Sequence, residues 1–335
     1  MTTVDSVAAP KWEPTRAFIA VLAVGAAVVL AARVAGIGEI PVAQTFTMIF
    51  IAIVVEALPF VLLGALVASL IDVFVPETAF EHAGRLPVAL QLPVAALGGF
   101  VFPVCECGSV PVARRLIARG LHPAAGITFM LASPVLNPVV LAATWVAYGP
   151  RGLAVPMVAG RAGLGVIVAL VSGWSLGSEG AKNFLRSRPT TQAAIACSRE
   201  PGAKKHRFIE HLTDDFFFMG RFLLAGAALA AALQSAFPQS LVSGLADTPT
   251  LAALALMAVA FMSSLCSEAD AFVAVSFGQF GVGSQLAFLV LGPILDFKLT
   301  FLYGATFRRR FALRLAVVAI PVILAGSLWF EVFLR

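Results

Sequence analysis

Apolar runs long enough to cross a bilayer recur along this chain, and no other feature limits its fold as strongly. Hydrocarbon about 30 Å thick needs about 20 apolar residues to span it. Such runs lie at 17–36, 42–71, 123–147, 152–174, 216–236, 282–305 and 312–334, with shorter ones near 88–104 and 250–265. Charged residues make up 12% of the chain and hydrophobic residues 60%, too little polar surface to cover a water-soluble core. Backbone in lipid has to satisfy its own hydrogen bonds, so the expected fold class is an all-α integral membrane protein. The run at 17–36 follows a polar leader, residues 1–16, that carries Lys11 and Arg16. Its length and the lack of a small-residue cleavage site favour an extra N-terminal transmembrane helix over a signal peptide.

A basic linker at 176–208 divides the rest into 42–175 and 209–335. It holds Lys182, Arg186, Arg188, Arg199, Lys204, Lys205 and Arg207 against Glu179 and Glu200, the bias of a cytoplasmic loop. At an offset of 159 positions the halves align without gaps: Cys107 falls on Cys266, Pro134 on Pro293, Asn137 on Asp296 and Glu56 on Asp215. The pattern reads as an internal duplication. Lys11 and Arg16 put the N-terminus in the cytoplasm, and Arg308, Arg309, Arg310 and Arg314 put the loop after 282–305 there too. That parity holds only if 249–280 enters the membrane and returns, with its tip near Cys266. The same logic makes 87–119 a hairpin with Arg114, Arg115 and Arg119 at its base. Each repeat is then a helix, a re-entrant helical hairpin and two further spans, and the two repeats are inverted, as in many secondary transporters. Continuous spans with one atypical basic loop are the alternative.

The chemistry gathers at breaks in the apolar runs. In Pro103-Val-Cys105-Glu106-Cys107-Gly108-Ser109-Val-Pro111, two prolines and a glycine interrupt a helix. Non-helical backbone at membrane depth is tolerated only inside protein or along a cavity. Cys105 and Cys107 on such a turn, with Cys266 on the opposing tip, could hold a soft metal ion or a trivalent metalloid, should the substrate be one. Buried thiols that only pack are the plain alternative. Ser133-Pro134-Val-Leu-Asn137-Pro138 and Gly292-Pro293-Ile-Leu-Asp296 read as matched discontinuous helices, with Ser133, Asn137 and Asp296 as substrate-binding candidates. Glu56, Glu106, Glu268 and Asp270 are candidates for proton coupling or ion pairing, because a carboxylate at that depth needs a partner or a wet cavity. Asp215 and Lys298 belong to the same class, and Lys298, two positions from Asp296, need not pair with it on a helix. Cys197 lies alone in the linker. His82, His122, His206 and His211 fall at loops and helix ends, away from any central site. The chain has no phosphate-binding Gly-x-x-x-x-Gly-Lys-Ser/Thr loop. No cofactor and no nucleic-acid partner are expected; the partners are the lipid bilayer and a small-molecule or ion substrate, with a homo-oligomer or an accessory subunit left open.

The Pro-x-Cys-x-Cys-Gly-x-x-Pro turn at 103–111, the Ser-Pro-x-x-Asn-Pro motif at 133–138 and the hydropathy plan resemble the ArsP/YraQ-type predicted permeases of bacteria. The resemblance spans nearly the whole chain outside leader and linker. It implies a multi-pass permease of the bacterial plasma (inner) membrane, not an enzyme. It also implies efflux of a small thiophilic substrate, a trivalent organoarsenical or a metal such as zinc, with Cys105 and Cys107 as substrate thiols. Glu106 stands where much of the family has a serine-like residue, which leans toward a cationic substrate. A membrane thiol–disulfide oxidoreductase using Cys105, Cys107 and Cys266 is the competing reading, although its usual Cys-x-x-Cys spacing is missing; the membrane subunit of a larger complex is a third.

Overall fold

The computed structural model describes residues 41–74, 84, 86–102, 104–177, 185, 204–236, 248–308 and 310–334. The expected helix at 17–36, the leader, Cys197 and nearly all of the basic linker lie outside the described residues. Two compact units, 1–48 and 49–335, divide the chain. Of the first, residues 41–48 are described, and they form the opening turns of a helix, α1 (Pro41–Phe74). All of the second half expected from the sequence, and the first half from residue 49 onward, fall within the second unit.

All the described regular elements are helices, and an isolated antiparallel bridge joins Leu185 to Phe307. After α1 come α2 (Val88–Val101), α3 (Glu106–Ala118), α4 (Pro123–Leu136), α5 (Pro138–Tyr148) and α6 (Ala154–Leu176). The second half holds α7 (Lys204–Ala236), α8 (Pro249–Ser263), α9 (Asp270–Ser276), α10 (Val282–Leu291), α11 (Phe297–Thr306) and α12 (Phe311–Leu334). Five stretches are long and apolar enough to cross a membrane: Val42–Ile71, Pro123–Arg151, Ala154–Leu176, Phe208–Ser235 and Phe311–Leu334. The protein is an all-α, multi-pass integral membrane protein.

Burial follows solvent preference. Along α12, Val317, Trp329, Val332 and Phe333 are exposed, as are Met48 and Val55 on α1 and Val155 and Trp174 on α6. Large apolar side chains facing outward in this way are what a lipid surface stabilises and water does not. α4 is instead buried at nearly every position, whereas α5 still exposes Val139, Trp145 and Val146. α4 packs against α2, α3 and α6, while α5 packs against α6 and α9.

The breaks have local causes. At 14 and 13 residues, α2 and α3 are each about 20 Å long, short of a full span. Between them Phe102 and Cys105 leave the helical region, both extended. The chain then returns to where it set out, since a Cβ placed on Gly84 would lie 3.3 Å from the Gly120 carbonyl oxygen. α8 ends where Ser264 adopts a left-handed conformation, φ 48°, which is costly for a residue with a Cβ. Asn137 separates α4 from α5 and caps α5, its side-chain oxygen accepting from Val139 N at 3.0 Å. Asp296 does the same for α11, accepting from Leu299 N at 2.6 Å. The hydroxyl of Tyr303 donates to the Ile294 carbonyl at 3.0 Å and satisfies the second break. Helix by helix, the boundaries of the second half follow those of the first at nearly the 159-residue offset.

Candidate functional site

The turn at 102–105 and the turn at 264–269 meet in the protein interior. Cys105 at the first, and Glu106, Cys107 and Ser109 in the opening turns of α3 that follow it, are each about 1% exposed, and Cys266 and Ser267 on the second are no more than 2%. Such close approach needs small residues: a Cβ on Gly64 of α1 would overlap the Gly108 backbone, and one on Gly226 of α7 would sit 2.5 Å from Lys298 Cα. Ser109 ties its turn down by donating to the carbonyls of Glu106 and Met130, both at 3.0 Å. The breaks also bring helix N-termini inward, those of α3, α5 and α11 among them, and their partial positive charge favours the acidic or polar residue placed on each.

A continuous buried polar chain crosses this interior. Lys298 Nζ lies 2.9 Å from Glu106 Oε1, 3.6 Å from Asp296 Oδ2, 3.3 Å from the Leu265 carbonyl and 3.8 Å from Cys266 Sγ. Ser267 Oγ donates to Glu106 Oε2 at 3.0 Å, so both carboxylate oxygens are occupied. The carbonyl of the same serine accepts from Arg161 Nη2 at 3.2 Å. Arg161 in turn holds Asp270 through two bonds, 2.8 and 2.6 Å, and donates to Thr144 Oγ1 at 2.9 Å. Residues of α3, α5, α6, α9, α11 and the second turn are thereby joined across the two halves. Buried ion pairs persist when each charge is also hydrogen-bonded, as here.

The cysteines converge on this chain. Cys105 and Cys107 lie close to each other, Cys266 lies close to Glu56, and all three are free thiols. Cys107 and Cys266 are close enough to interact electrostatically. Among the described residues, no group of three or more His, Cys, Asp or Glu side chains is already arranged to hold a metal ion.

Of the carboxylates expected to matter, Glu106, Asp270 and Asp296 lie on the chain and Glu56 beside it. Glu268 lies near enough to feel Glu106 and Asp270, yet neither of its buried carboxylate oxygens has a hydrogen-bond partner among the described residues. Asp296 Oδ2 also lacks one. Asp215 is elsewhere. It accepts from Arg115 Nε and Nη2 at 3.1 and 2.6 Å and ties α7 to the far end of α3. Ser133 is fully buried inside α4, its backbone against Gly99 of α2, and its hydroxyl has no partner among the described residues. It is helical, whereas Asn137 sits at the break. Asp296 and Lys298 do approach one another, because Asp296 is an extended cap and not a helical residue. Arg161, Ser267 and Thr144 escaped the sequence reading; a lone arginine within the apolar run 152–174 was the available signal for the first.

A family model described as a predicted permease, of ArsP type, matches residues 42–332. The chain is 36% identical over 281 residues to the UPF0718 protein YcgR of Bacillus subtilis (strain 168), covering 84% of this chain and 95% of that one. It is 32% identical over 274 residues to a putative two-component membrane permease complex subunit of Streptococcus mutans, covering 79% of this chain and 88% of that one. No solved structure matches it significantly.

Proposed function

The chain belongs to the predicted-permease family, and on that premise we propose that it is a proton-coupled secondary transporter exporting a small thiophilic substrate, a trivalent organoarsenical or a soft metal ion. One observation carries this reading: three free buried thiols converge where helices of both halves break. Thiolates are the ligands such substrates prefer. Broken helices at a repeat interface are also where secondary transporters bind their cargo.

In this reading the two hairpins are re-entrant, the repeats are inverted, and access alternates by one half rocking against the other. The N-terminus lies in the cytoplasm and the membrane is the bacterial inner membrane. Glu268, whose carboxylate oxygens lack hydrogen-bond partners among the described residues, is the group best placed to take up and release a proton. Glu106 and Asp270 are already engaged by Lys298 and Arg161.

Transport into or out of proteoliposomes, against a panel of trivalent arsenicals, Zn(II) and Cu(I), tests the reading. At least one should move, and C105S/C107S should lower that flux at least tenfold. A wild-type protein that binds none of them, or a double variant with full flux, would sink it.

The printed name of the Streptococcus mutans relative favours a second reading, in which this chain is the membrane subunit of a two-component permease. Flux by the purified chain alone supports the single-component form. Thiol-dependent binding without flux supports the two-component one.

A further inference from the structure

Lys298 is 1% exposed, and its ammonium is surrounded by a carboxylate oxygen of Glu106, the Leu265 carbonyl and the Cys266 sulfur. Asp296 Oδ2 stands 3.6 Å away and has no hydrogen-bond partner among the described residues. Glu56 and Cys107 are near enough to interact with the same charge. One positive centre is thus ringed by hard oxygen and soft sulfur donors contributed by α3, α11 and the second turn. Sulfur together with carboxylate oxygen is a donor set that a thiophilic divalent cation such as Zn(II) or Cd(II) accepts.

We propose that Lys298 is a tethered occupant of the substrate position, and that the substrate is a soft cation which takes its place between Glu106 and Cys266. This deepens the transporter reading above and rests on it. The physical argument is one of charge. Lys298 is a point charge on a flexible four-carbon stem, so its ammonium can leave while its backbone stays packed against Gly226. Its departure strips Glu106 and Asp296 of their positive neighbour inside a low-dielectric interior, where an unpaired charge is costly. An incoming cation replaces that charge. A neutral arsenical binds sulfur but does not. The lysine is therefore a specificity-determining residue: it makes the site reject whatever cannot compensate two carboxylates, and it keeps the two turns joined until something can.

Binding to the purified full-length chain in nanodiscs tests this, with Cd(II) as the soft cation and phenylarsine oxide as the neutral thiol reagent. K298M removes the competing charge and should tighten Cd(II) binding at least tenfold while leaving phenylarsine oxide within about twofold. Weaker or unchanged Cd(II) binding, or equal tightening of both probes, overturns the proposal. Folding is checked by monodisperse elution and thermal melting; if K298M fails it, K298Q carries the same expectation with its polar contacts kept. The C105S/C107S/C266S variant separates the two levels of inference. Cd(II) binding that survives in it overturns the thiol site itself, whereas thiol-dependent binding that K298M does not tighten overturns only the role of Lys298.

Discussion

Arg161 and Asp270 are both fully enclosed, and each is the other's only full countercharge along the buried polar chain. Removing one member strands the other, which costs about 3–5 kcal/mol, whereas replacing both by apolar groups of similar size is close to neutral. D270A should therefore lower stability to unfolding in detergent by about that amount, and R161M/D270L should recover most of it. A double variant as unstable as the single one would mean that the pair's other hydrogen bonds, to Thr144 and the Ser267 carbonyl, matter more than its charges. The residue scale is also where sequence reasoning is weakest. Cys105, Glu106 and Cys107 could be singled out because proline and glycine surround them, and Cys266 because it falls on Cys107 at the 159-residue offset. Lys298 could not be paired with Asp296 from their spacing, because helical geometry was assumed for a residue that turns out to be an extended cap. Arg161 comes into the site only because α6 lies against α5, a packing fact that no local pattern carries.

Elements were more legible. Apolar length located the described spans, and Pro138 and Gly292-Pro293 marked the interruptions at which α4 gives way to α5 and α10 to α11. The exact break is set by capping, since Asn137 and Asp296 occupy corresponding places and each holds the first turn of the helix it starts. N137A should cost about 1 kcal/mol, the usual loss for such a cap. Contact between elements depends on missing side chains. G64V drives a methyl group into the Gly108 backbone and should destabilise the protein by about 1–3 kcal/mol. The same change at Gly163 of α6, where a Cβ would meet nothing within 4 Å, should have little effect on melting temperature. Equal losses at both sites would show that helix propensity, and not the approach of α1 to the first turn, governs the result.

For the whole molecule, the proposed inversion of the two halves makes a directional prediction. Ala118, at the end of α3, and Gln279, after α9, are both exposed and fall at nearly corresponding places in the halves. With Cys197 changed to serine, A118C should react with an impermeant maleimide only from the cytoplasmic side, and Q279C only from the opposite side. Labelling of both from one side would show that the halves run the same way. The polar chain that joins the halves has a further consequence, for how the protein is made. Arg161 and Asp270 are 109 residues apart in sequence, and Glu106 and Lys298 are 192 apart. At synthesis rates of about 5–20 residues per second, Arg161 waits about 5–20 s for its partner to leave the ribosome. During that interval an arginine must be kept out of hydrocarbon, by the insertion machinery or by reaching to the membrane surface. A nascent chain halted before Asp270 should accordingly hold α6 only loosely in the bilayer, extractable by alkali, and one released past Lys298 should not.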